Sequence, residues 1–127
     1  MKNFRFYNTQ KDIVFNDCKI VHIRKNTTNK LDIFNQFECG LNIPTYYGKN
    51  WDAFDDNLMN LHFVKEKNVI IIHEDIPFKN YDHEKRTYIE IMGDIVSHWQ
   101  AFPEHKFFVY FPENCREELT QISRAFE

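Results

Sequence analysis

Two short runs, NVIIIHE at 68 to 74 and KFFVYF at 106 to 111, constrain this chain more than any other feature. Neither alternates polar with apolar residues, so a strand built from either must be covered on both faces. Between them, residues 82 to 102 carry Tyr88, Ile91, Ile95, Trp99 and Phe102 at spacings of three or four, which predicts a helix. A strand, a helical crossover and a second strand give a parallel pair joined with right-handed sense.

The rest of the chain extends that pattern. KIVHIRK (19 to 25) sets Ile20 and His22 opposite Val21 and Ile23, as a strand does. Thr28 or Asn29 is the N-cap of a first helix carrying Leu31, Phe34, Phe37 and Leu41, which Gly40 and Pro44 bring to a stop. Asn50 caps a second helix from Trp51 to about Leu61. PENCREELTQISRAFE opens on Pro112 and lays Cys115, Leu119, Ile122 and Phe126 on one stripe of a closing helix. At the front, FRFYN and DIVFN are β-rich runs separated by TQK, suited to a hairpin. The predicted fold is α/β: a small three-stranded parallel sheet with packed helices, extended by an N-terminal strand or hairpin and a C-terminal helix.

Length and composition fit one domain over residues 1 to 127, since the chain is 43% hydrophobic with only three glycines and four prolines. No Gly/Ser/Pro-rich linker or internal repeat interrupts it. A net charge of -3 gives no general attraction for nucleic acid or anionic membranes, and favours an acidic patch meeting a basic partner. The N-terminus MKNFRFYNTQKDIVF holds neither a signal-peptide core nor a membrane span, so a cytoplasmic protein is expected. Cys18, Cys39 and Cys115 are an odd number without a CxxC spacing, which predicts reduced, mostly buried thiols. No glycine-rich phosphate loop follows any strand, so no nucleotide cofactor is expected. His22, His62, His73, His83, His98 and His105 follow no HxxxH or HExxH spacing, so no metal is expected, and His73 at a strand end suits a structural hydrogen bond.

The chemistry concentrates in TYYGKNWDAFDDNL, residues 45 to 58. Stepping about 100° per residue from Trp51, Leu58 falls at about 340° and Phe54 at about 300°, whereas Asp55 falls at about 40°, Asp52 at about 100° and Asp56 at about 140°. One arc is apolar and its neighbour is acidic. Asp52 and Asp56, one turn apart, repel unless something cationic lies over them, and the helix dipole offsets part of that cost for Asp52. Acidic residues in the first turns of a helix are also common as a plain solvated face. Two carboxylates on one convex helix, with no reason for either pKa to rise, do not make a glycosidase pair.

The segment IPTYYGKNWDAFDDNL resembles the signature of the barstar family, intracellular inhibitors of barnase-like ribonucleases. Pro44, Tyr46, Tyr47, Gly48, Asn50, Asp52, Ala53 and Asp56 stand where that pattern wants them. The resemblance covers residues 19 to 111 and implies a non-enzymatic protein that monomerically plugs the active site of a barnase-like ribonuclease in a 1:1 complex. The alternative is a related toxin nuclease or a partner that is not a ribonuclease. It further implies that Asp56 is the central anchor, Asp52 a second phosphate mimic, Tyr46 an aromatic contact, and Asn50 both cap and rim. Asp55, Met59 and Asn60 would complete the partner-binding surface, with Pro44, Tyr47, Gly48, Trp51, Phe54 and Leu58 supporting it. The chain departs from the family where Asp55 replaces a common tryptophan, and where Ser97 and His98 stand in place of a third-helix acid. Asp94 and Glu104 are the nearest substitutes for that acid.

Overall fold

A computed structural model of the protein describes residues 3–43 and 49–124. Its elements run β1 (Arg5–Tyr7), a 3-10 turn (Gln10–Asp12), β2 (Cys18–Ile23), α1 (Lys30–Leu41), α2 (Trp51–Asn60), β3 (Asn68–His73), α3 (Asp82–Ala101), β4 (Lys106–Pro112), a second 3-10 turn (Glu113–Cys115) and α4 (Arg116–Arg124). The sheet order is β1-β4-β3-β2, with every neighbouring pair parallel. Ile71 sits at the centre, paired with Val21 on one side and Val109 on the other.

Strand alternation splits β3 between two apolar layers. Val69 and Ile71 face a core to which all four helices contribute, through Ile33, Phe34 and Phe37, Phe54 and Leu58, Tyr88 and Ile95, and Leu119. Ile70 and Ile72 face the other way, beside Tyr110. With the helices committed to one face, the second is covered by the N-terminal segment: Tyr7, Ile13 and Phe15 pack there, the Phe15 ring 4.8 Å from Phe108.

This covering accounts for two differences from the sequence reading. The sheet has four strands, not three, because FRFYN supplies β1 parallel to β4 instead of half a hairpin. DIVFN forms no strand; it crosses beneath the sheet, where Asp17 accepts the backbone N–H groups of Asn68 (3.0 Å) and Lys67 (3.1 Å). Gly40 does not end α1 but lies inside it, and Asn42 caps it in the left-handed region at φ 57°. A Cβ at Gly40 would come within 2.8 Å of Val21 Cγ2, so glycine lets α1 approach β2. Leu31 and Phe102 are exposed rather than core, Ile33 filling the first turn of α1 instead. Of the cysteines, only Cys115 is buried; Cys39 is exposed and Cys18 half-buried, and all three are free thiols. Phe126 lies outside the described residues.

His73, at the end of β3, joins the sheet to α3. The Tyr110 carbonyl can only accept, so Nδ1 must donate to it (2.9 Å), which leaves Nε2 to accept from the Tyr88 hydroxyl (2.5 Å). The ring stacks on Phe111 at 4.0 Å, and burial lowers its pKa from 6.5 to about 3. The folded state therefore holds this imidazole neutral while the unfolded chain protonates it, so its contribution is intact above 6.5 and is lost as pH falls towards 3. Urea unfolding from pH 7 to 4 should show stability falling by up to about 1.4 kcal/mol per pH unit from this one group. His73→Gln should remove that one-proton slope whatever its stability at neutral pH, and an unchanged slope would contradict the assignment.

Candidate partner-binding site on the second helix

α2 is fixed at its start by Asn50, whose backbone is extended (φ -143°) and whose side chain accepts from Ala53 N at 2.8 Å. Its inner arc is aromatic. Phe54 packs edge-on against Phe37 (4.8 Å), and Trp51 edge-on against Phe34 (5.2 Å) while its Nε1 donates to Glu84 Oε2 at 3.3 Å. At the far end, Leu61 caps in the left-handed region (φ 51°). The Leu58 carbonyl, one of the acceptors a helix C-terminus leaves without an internal partner, receives Trp99 Nε1 at 2.8 Å. α2 is thereby pinned to both α1 and α3.

The outer arc carries the predicted residues. Asp52, Asp56 and Asn60 are exposed, while Asp55 and Met59 are half-buried. Asp55 lies between the two arcs as the helical wheel indicates, and burial pushes its carboxyl pKa up, reinforced by the charges of Asp56, Asp94 and Asp52 and opposed by His98. Beside it, Asp56, Met59 and Asn60 form one wall of an open groove of about 550 Å³, with His98, Trp99, Phe102 and Glu104 opposite. Two further acids stand near this surface: Asp94 acts on Asp55, and Glu104 lines the groove.

Pro44, Tyr46, Tyr47 and Gly48 lie outside the described residues. On the flanks of that segment, Ile43 is buried, and Lys49 pairs with Glu38 and donates to Asn35 (3.2 Å), tying the entry of α2 to α1. Asn57, which the acidic and apolar arcs of the wheel leave out, is buried on the inner arc; its wheel position of about 240°, next to Phe54, is the available signal. Glu84, the acceptor for Trp51, is a partner that no sequence spacing announces. Among the described residues, no group of three His, Cys, Asp or Glu side chains is placed to hold a metal.

The raised pKa of Asp55 means that its ionised form is penalised by folding. Its effect on stability is thus unfavourable at neutral pH and is relieved as pH falls through the raised value towards 3.8. Asp55→Asn should melt at a higher temperature than the parent at pH 7, with the difference shrinking in acid. A lower melting temperature at pH 7 would show that the carboxylate is stabilised by a neighbour instead.

Comparison with curated proteins finds no match, and comparison with solved structures finds none either. A family model described as barstar, the barnase inhibitor, matches residues 18–112, from the first residue of β2 to the last of β4. That span holds α1, α2 and α3 and covers well over half the chain, leaving β1 and α4 outside. The chain belongs to the barstar family.

Proposed function

We propose that this protein is an inhibitor, or immunity protein, that blocks the active site of a barnase-like toxin ribonuclease with the acidic face of α2. The observation that carries the reading is one helix held at both ends with three aspartates on one side, inside the span that matches the family. An enzyme that cleaves RNA holds phosphates with Arg and Lys, so its empty site is a concave positive pocket. Carboxylates on a rigid convex helix can take the phosphate positions and accept bidentate, charge-assisted hydrogen bonds from those arginines. Because α2 is already ordered, little conformational freedom is lost on docking.

Within this reading, Asp56 is the anchor, Asp52 the second phosphate mimic, Asn50 both cap and rim, and Tyr46 an aromatic contact to the enzyme. Met59 and Asn60 form the groove wall that receives a side chain from the rim of the enzyme. Asp55 sits among like charges in the free protein, so a partner cation relieves that repulsion and binding releases protons in mildly acidic solution. The acidic face also steers a basic enzyme into contact, which speeds association at low salt. Neutralising a ribonuclease before cellular RNA is lost places the protein in the cytoplasm, acting as a 1:1 binder and not as a catalyst. The described helices include none long and apolar enough to cross a membrane.

Asp55 supports a second reading of the partner. A charge standing where the family commonly has an aromatic side chain favours a related toxin nuclease with a more basic rim over a close barnase homologue. Titrating RNA cleavage by a barnase-like ribonuclease separates the two. The wild-type protein should inhibit stoichiometrically, and Asp52→Ala/Asp56→Ala should raise the half-inhibitory concentration at least about 100-fold, with an unchanged circular dichroism spectrum, because it strands the enzyme's arginines. Added NaCl should weaken the wild-type complex more than the variant's. Equal inhibition by both would exclude phosphate mimicry by α2, and no inhibition by folded wild-type protein would favour the second reading.

A further inference from the structure

A cleft of about 540 Å³ between the end of α3 and the start of β4 shares Trp99 and Phe102 with the α2 groove. Its charge is opposite to that of α2. Arg5, Lys67 and Lys106 line it, and no acidic residue does, although the chain as a whole is net negative. None of these three cations forms an ion pair with a carboxylate among the described residues. Lys67 Nζ donates to the Pro103 carbonyl, and Arg5 donates to the Tyr110 hydroxyl (3.3 Å) while its guanidinium lies 4.4 Å over the Phe108 ring. Uncompensated cations around one cleft carry a standing repulsion that an anion relieves.

The remaining walls are planar. Phe102, 48% exposed, offers an aromatic face and the Arg5 guanidinium offers a second plane over the Phe108 ring, while Trp99 is buried. A flat aromatic ring gains by stacking on such surfaces, and a phosphate gains by accepting from several cationic donors. The volume falls in the range of small-ligand sites.

We propose that this cleft binds a nucleoside monophosphate, its base stacked against the exposed ring of Phe102 and its phosphate held by Arg5, Lys67 and Lys106. The site is made from side chains of β1, β4, the loop before β3 and Phe102 at the end of α3, without a glycine-rich loop; it shares Trp99 and Phe102 with the groove beside α2, but none of the α2 aspartates lines it. The test is a titration of ¹⁵N-labelled full-length protein with adenosine 5′-monophosphate, adenosine and inorganic phosphate, each separately. The monophosphate should give saturable amide shifts at Lys67, Phe102, Lys106 and Phe108 in the millimolar range or below, and adenosine and phosphate should each bind at least about tenfold more weakly. Lys106→Gln, at an exposed position, should weaken the monophosphate roughly tenfold without lowering the melting temperature, with Lys67→Gln as the second variant. The proposal is overturned by an absence of saturable shifts at these amides, by phosphate alone binding as tightly as the monophosphate, or by affinity unchanged in both variants.

Discussion

The structure depends on keeping β3 dry on both faces. Val69 and Ile71 point one way, Ile70 and Ile72 the other, and each pair is buried. The helices can satisfy only one of these demands, because they all pack on the face to which Val69 and Ile71 point. The other demand falls to the N-terminal segment, and that explains why residues ahead of the family-matched span are part of the sheet. β1 closes the free edge of β4, and Phe15 shields the strip formed by Ile70, Ile72 and Tyr110. Leaving that strip in water would forfeit roughly 1.5–3 kcal/mol for each large apolar side chain exposed.

With the sheet covered, α2 is free to serve another purpose. It reaches the core through Phe54 and Leu58 and is otherwise held by its neighbours, through aromatic contacts with α1 and the Trp99 hydrogen bond from α3. Its outer side therefore carries charge that, at Asp55, works against folding. A half-buried carboxylate penalised in the free protein fits the proposed binding role, because a cationic partner would supply the missing compensation. The groove below Asp56 continues the same surface onto α3 and the loop holding Glu104.

Much of this was legible in the sequence because it rests on periodicity. The uninterrupted apolar runs gave β3 and β4, the three-and-four spacing gave α3, and Asn50 followed by Trp51, Phe54 and Leu58 gave α2 with its acidic arc. The failures come from interactions that periodicity does not encode. FRFYN and TQK look like the first strand and turn of a hairpin, yet the open edge of β4 offers β1 a better partner than the adjacent run does. Gly40 resembles a helix stop, but a close approach to Val21 accounts for it, and a Schellman-like ending falls to Asn42. The convergence of Arg5, Lys67 and Lys106 joins three distant segments, and the net charge of -3 conceals it.

Whether α2 enters the partner's active site is read from the amide footprint of a barnase-like ribonuclease on the labelled protein. Shifts and protection from hydrogen exchange should centre on Asn50, Asp52, Asp55, Asp56 and Asn60 and extend to His98 and Glu104. A bound complex whose footprint instead falls on the exposed edge of β2, around Ile20 and His22, with α2 unperturbed, would contradict that entry.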